Sequence, residues 1–130
     1  MSPHPALPTL LYVEDERLIQ ESVVASLEEA GFKILAATNG EQALSLLNAD
    51  SGIQGLITDV NLGDGLDGWE VARLARQLIA ALPVVYVSAA SEHEWTSMGV
   101  PNSLMIAKPF AHTQIIVAIS SLMVVSDGAG

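Results

Sequence analysis

Residues 54–68 read QGLITDVNLGDGLDG, a short apolar run that stops at Asp59 and gives way to a loop carrying three glycines and two aspartates. A brief aliphatic run bounded by turn residues is a strand buried on both faces, and Gly and Asp are the residues that turns demand. Beyond the loop, Trp69, Val71, Ala72, Ala75 and Leu78 recur at helical spacing, so the unit is strand, loop, helix. The same pattern appears on either side. LLYV stops at Glu14 and Asp15, PVVYV at Ser88, and SLMIA at Lys108, each run ending on a polar residue.

Working outward, strands are expected over 9–14, 33–37, 54–59, 83–88 and 103–107. Helices are expected over 16–30, from Asn39, from Asp67-Gly68, over a short 92–98, and over 110–125. Gly31 follows the first helix as a stop signal, and its inward stripe is Leu18, Ile19, Ser22, Val23, Leu27 and Ala30. Ala43, Leu44 and Leu47 mark the second helix, and Ile115, Ile116, Ile119, Leu122 and Met123 the last. Five βα units without an internal repeat predict an α/β, flavodoxin-like (βα)5 doubly wound fold, a five-stranded parallel sheet in strand order 2-1-3-4-5. The expected organisation is a flexible tail over 1–8, one domain over 9–125 and a flexible tail over 126–130.

At 130 residues the chain is one domain, long enough for a core without staples. It has no cysteine, which excludes disulfides and thiolate zinc sites and suits a reducing cytosol. A net charge of −10 excludes counterion release onto nucleic acid as a source of affinity. The start MSPHPALP lacks the basic, continuously apolar character of a signal peptide, and no stretch approaches the roughly 20 apolar residues of a membrane span. A soluble cytoplasmic protein is expected, binding neither nucleic acid nor membrane.

In an open parallel sheet the carboxyl ends of the strands share one edge, and ligands bind there. Glu14, Asp15, Asp59, Ser88 and Lys108 would then meet: three carboxylates, a hydroxyl and an ammonium. Such acids repel one another unless a divalent cation lies among them, and an all-oxygen set favours Mg²⁺. Taken singly, each residue has an ordinary reading. Glu14 and Asp15 suit a helix N-terminus, Asp59 a turn, Ser88 an N-cap and Lys108 a solvated surface. Their joint placement at successive strand ends favours the site. His4, His93 and His112 show no ligand spacing and read as surface residues, Asp64 as a solvated loop residue, and Trp69 and Trp95 as partly buried anchors.

LLYVEDE, ITDVNLGDGLDGWE, VVYVSAA and MIAKPF stand in the order, and close to the spacing, of one family's motifs, and the chain resembles the receiver domain of bacterial two-component response regulators. That resemblance implies that Asp59 is the phosphoacceptor, taking a phosphoryl group from a phosphohistidine of a histidine kinase or phosphotransfer protein. It implies Mg²⁺ held by Glu14, Asp15, Asp59 and the Asn61 main-chain carbonyl. Lys108 and Ser88 would contact the phosphoryl group, Asn61 and the backbone N–H groups of Ala89 and Ala90 would help bind it, and the bond before Pro109 would be cis. The expected module catalyses only its own phosphorylation and dephosphorylation, and signals by protein contact to an unidentified target.

Two features depart from the family. Met105 stands where receivers usually carry the switch aromatic that moves with the Ser88 hydroxyl, so a readout of another form is expected. The stretch from Ser88 to Lys108 is short for a full fourth helix, and a monomer or weak homodimer is expected rather than the family's common dimer. Glu14 replaces the commoner Asp, which the family tolerates. Alternatives stay open: a pseudo-receiver that binds without phosphorylation, or a receiver cut from a hybrid histidine kinase, although Met1 and the trailing SDGAG favour a complete small protein. A phosphatase of the haloacid-dehalogenase type would need an acid where Asn61 stands, and a flavin site would need a Ser/Thr-rich loop after the first strand.

Overall fold

Runs that alternate between two apolar faces must be covered twice, and in the computed structural model, which describes residues 7–50, 52–89 and 92–129, they are. Five strands, β1 (Thr9–Val13), β2 (Lys33–Ala37), β3 (Ile53–Asp59), β4 (Val84–Ser88) and β5 (Ser103–Ala107), form one sheet in the order β2-β1-β3-β4-β5. Every neighbouring pair is parallel. Helices α1 (Arg17–Glu29), α2 (Gly40–Ala49), α3 (Gly68–Leu78), α4 (Glu92–Met98) and α5 (His112–Ala129) connect and follow the strands. This is the expected flavodoxin-like arrangement.

Alternate strand residues enter two separate cores. Leu11, Val13, Leu56 and Tyr86 pack with Ala43 and Leu47 of α2 and Trp69, Val71, Ala72 and Ala75 of α3. Leu10, Tyr12, Ile57 and Val85 pack on the opposite face with Val23 and Leu27 of α1 and Ile115 and Ile119 of α5. All five residues of β4 are buried, as a strand in the middle of a doubly covered sheet requires.

Local chemistry sets the helix limits. α1 ends in a Schellman motif: Gly31 takes φ +101°, Phe32 N donates to Leu27 O and Gly31 N to Glu28 O. Asn39 caps α2 by accepting from Gln42 N at 2.8 Å. Asp67 and Glu70 form a reciprocal capping box at the start of α3, with Glu70 N donating to Asp67 at 2.9 Å and Asp67 N to Glu70 at 3.2 Å.

Several details differ from the sequence reading. Leu18, expected on the inward stripe of α1, is 82% exposed, and Ser22 and Ala30 are exposed as well. Leu18 lies in the first turn of α1 and faces the groove that Pro109 and Phe110 also line, rather than the core. Leu78 is likewise half exposed at the end of α3. The last helix begins at His112 rather than 110 and continues to Ala129 rather than 125, so most of the stretch expected as a C-terminal tail is helical backbone. Of the expected N-terminal tail, residues 1–6, with His4, lie outside the described residues, while Pro8 O accepts from Lys33 N at 2.8 Å.

Candidate functional site

The parallel order brings the ends of β1, β3, β4 and β5 side by side, and with them the polar residues that close each run. Glu14 is 1% exposed, Asp59 5% and Ser88 4%, whereas Asp15 is exposed. Main-chain bonds hold these ends in place. Glu14 N donates to Ala37 O at 3.0 Å, Val60 N to Val87 O at 3.1 Å, and Lys108 N to Ser88 O at 2.9 Å. Gln20 of α1 adds a staple that the sequence did not reveal, donating to Ala37 O at 2.9 Å and Glu14 O at 3.2 Å.

Carboxylate oxygens of Glu14, Asp15 and Asp59 lie within 4.8 Å of one another. Lys108 Nζ donates to Asp59 Oδ2 at 2.8 Å and stands 3.9 Å from Glu14 Oε1. Asp59 Oδ1 accepts from Asn61 N at 3.2 Å, and Glu14 Oε2 accepts from Glu16 N at 3.1 Å. Glu14 Oε1, fully buried, has no hydrogen-bond donor. The Lys108–Pro109 peptide is cis. Ala89 follows Ser88 in the loop after β4, while Ala90 lies outside the described residues.

The electrostatics follow from this crowding. Burial pushes the Glu14 carboxyl up to about 7; the Glu16 N–H opposes the rise, Asp59 adds to it and Lys108 counters it. For Lys108 burial works against the charged ammonium, but the hydrogen bond to Asp59 and the charges of Asp59, Glu14 and Glu16 outweigh it, so its pKa is raised. One ammonium thus faces three carboxylates, and an oxygen-only pocket with an orphaned acceptor fits a hard divalent cation.

Gly68 makes the pocket possible. A Cβ at that position would collide with the Asp59 carbonyl oxygen, and Gly68 N donates to Val60 O at 2.7 Å, so α3 starts directly against the end of β3. The loop between them carries Asp64 in solvent, and Asn61 Oδ1 accepts from Gly63 N at 3.3 Å.

Met105 is half-buried and pairs in register with Tyr86, two residues before Ser88 and on its face of β4. The buried aromatic of this region is therefore on β4. Tyr86 lies 4.6 Å from Trp69 between ring centroids, and its hydroxyl accepts from Val100 N at 3.0 Å. Trp95 is half-buried and donates to Ser103 Oγ at 3.0 Å. His93 is exposed, but His112 is half-buried, its Nδ1 2.6 Å from Ser26 Oγ.

Beside Lys108, a groove of about 580 Å³ runs between α1 and the start of α5, lined by Leu18, Ile19, Pro109 and Phe110 among others. No helix among the described residues is long and apolar enough to cross a membrane.

Comparison with known proteins agrees with this geometry. A family model described as the response regulator receiver domain matches residues 10–120. A solved response regulator receiver protein from Sinorhizobium medicae WSM419 is 37% identical, with a TM-score of 0.86 over 90% of this chain and 94% of that one. The Vibrio cholerae chemotaxis protein CheY4 shares the fold at 21% identity, with a TM-score of 0.79 over 90% of this chain and 99% of that one. The Escherichia coli transcriptional regulatory protein CusR is 29% identical over 88% of this chain and 50% of its own length. The chain thus spans about half the length of the curated relatives it matches.

Proposed function

The chain belongs to the response regulator receiver domain family, and from that premise we propose that Asp59 accepts a phosphoryl group from a phosphohistidine of a histidine kinase or phosphotransfer protein. The observation that carries the reading is the Asp59 carboxylate, held 2.8 Å from Lys108 Nζ inside a cluster whose other members are Glu14 and Asp15. Receiver domains are signalling modules rather than enzymes acting on metabolites. The only chemistry proposed here is gain and loss of this one group.

In the transfer an Asp59 carboxylate oxygen forms a bond to phosphorus as the bond to the donor imidazole nitrogen breaks; with the other ring nitrogen already protonated, neutral imidazole is left on the partner and an acyl phosphate here. Phosphoryl transfer depends chiefly on position and on neutralising charge, and the chain supplies both. Lys108 places a point positive charge against the phosphoryl oxygens, the Ser88 hydroxyl donates to one of them, and the Ala89 backbone N–H adds a dipole. Glu14, Asp15, Asp59 and the Asn61 carbonyl would hold Mg²⁺. When bound, the cation would offset the carboxylate charge and stabilise negative charge on the incoming phosphoryl group. Hydrolysis by water later returns the free carboxylate.

A phosphohistidine partner must approach over the rim of the pocket. Leu18, at 82% exposure, and the neighbouring Ile19, Pro109 and Phe110 form an apolar rim beside Lys108 that suits such a contact. The reading places the protein in the cytoplasm as a monomer or weak homodimer that signals to a protein target. It is tested by incubating wild type and Asp59→Asn with Mg²⁺ and acetyl phosphate and weighing the products. Wild type should gain one phosphate and the variant none. An equal gain in the variant removes Asp59 from its role, and no gain in either leaves a binding module that is not phosphorylated.

A further inference from the structure

Beneath the acidic pocket lies a polar atom that the transfer chemistry does not use. Tyr12 is 1% exposed on β1, packed against the apolar residues Val23, Leu27, Ile57 and Ile115, and its hydroxyl has no hydrogen-bond partner. A phenylalanine would fill the same space without leaving a buried donor unpaired. Glu14 is two residues further along, so both side chains leave the same face of the sheet.

Glu14 presents the complementary orphan. Its Oε2 is fixed by Glu16 N, but Oε1 is buried with no donor, and Lys108 Nζ at 3.9 Å is too distant for a hydrogen bond. A carboxylate held at one oxygen remains free to turn about that bond. We infer that Tyr12 is a positioning residue for the cation site: its hydroxyl, unpaired in this structure, comes to donate to Glu14 Oε1 and fixes the plane of that carboxylate when a divalent cation binds. This inference rests on the Mg²⁺ reading given above. Among the described residues, Tyr12 OH and Glu14 Oε1 are the buried side-chain polar atoms left without a partner, one a donor and the other an acceptor.

The test is calorimetric titration of MgCl₂ into wild type, Tyr12→Phe and Tyr86→Phe, with the Tm of each measured in EDTA. Groups that orient a metal ligand typically change metal affinity by 10–100-fold, so Tyr12→Phe should weaken Mg²⁺ binding about 10-fold. Its metal-free Tm should hold or rise, because an unpaired donor is removed. Tyr86→Phe loses a hydroxyl that is already bonded to Val100 N, and should lower Tm while leaving Mg²⁺ affinity unchanged. Unchanged affinity in Tyr12→Phe, or a fall in its metal-free Tm as large as that of Tyr86→Phe, overturns the inference and leaves the cation site standing. Absence of Mg²⁺ binding by wild type overturns both.

Discussion

Glu14 makes the metal-free protein sensitive to pH. Its carboxyl rises from an ordinary 4.5 to about 7, chiefly because it is buried. A carboxyl whose folded pKa lies above its unfolded one binds its proton more tightly in the fold. Its contribution is therefore complete below pH 4.5 and is lost as the pH climbs toward 7. At about 1.4 kcal/mol per pH unit, that span corresponds to about 3 kcal/mol. Urea denaturation in EDTA at pH 4.5, 6 and 7.5 measures it, with Glu14→Gln as the reference that cancels the other carboxylates. Wild type should lose about 3 kcal/mol more than the variant over that range, and saturating Mg²⁺ should remove most of the difference. Parallel pH profiles for the two proteins in EDTA would refute the assignment of a strained, buried carboxyl at position 14.

Other perturbations separate the roles of neighbouring residues. Gly68→Ala drives a methyl into the Asp59 carbonyl and should cost about 3 kcal/mol in urea denaturation, whereas Gly63→Ala, with open space around it but φ +78°, should cost only about 1 kcal/mol. Leu18→Asp should slow phosphorylation by a cognate histidine kinase about 10-fold, equivalent to about 1.4 kcal/mol at the contact, and leave the rate with acetyl phosphate unchanged, because Leu18 lies on the rim rather than in the pocket. Arg76 donates to the carbonyls of Leu82, Pro101 and Asn102, tying α3 to the turns before β4 and β5. Arg76→Ala should therefore lower stability by about 2 kcal/mol, read by urea denaturation.

Much of the fold was legible because each strand is a short apolar run and each run stops on a polar residue. Asp59, Ser88 and Lys108 could be aligned as strand ends before any distance was known, and the parallel order then brings them together. The helix start at Asp67-Gly68 and the stop at Gly31 were legible for a similar local reason, although the reciprocal bond with Glu70 was not. What escaped depends on contacts across elements. Leu18 obeys the helical period yet is exposed, since periodicity gives a direction and not whether anything lies there to meet it. His112 looked like a surface residue because its serine partners are on α1, far away in sequence. Tyr86 was visible as one more apolar residue of β4, but only the register shows that it stands beside Met105. The need for glycine at 68 comes from a carbonyl nine residues earlier.

The central claim is that one carboxylate carries the phosphoryl group. Borohydride reduces an aspartyl phosphate to homoserine, so treating the phosphorylated protein and sequencing its peptides by mass spectrometry locates the modified residue. Homoserine at position 59, formed only when Mg²⁺ was present during phosphorylation, is the expected result. Homoserine at another aspartate, or a phosphoryl group recovered on a histidine, would contradict the account.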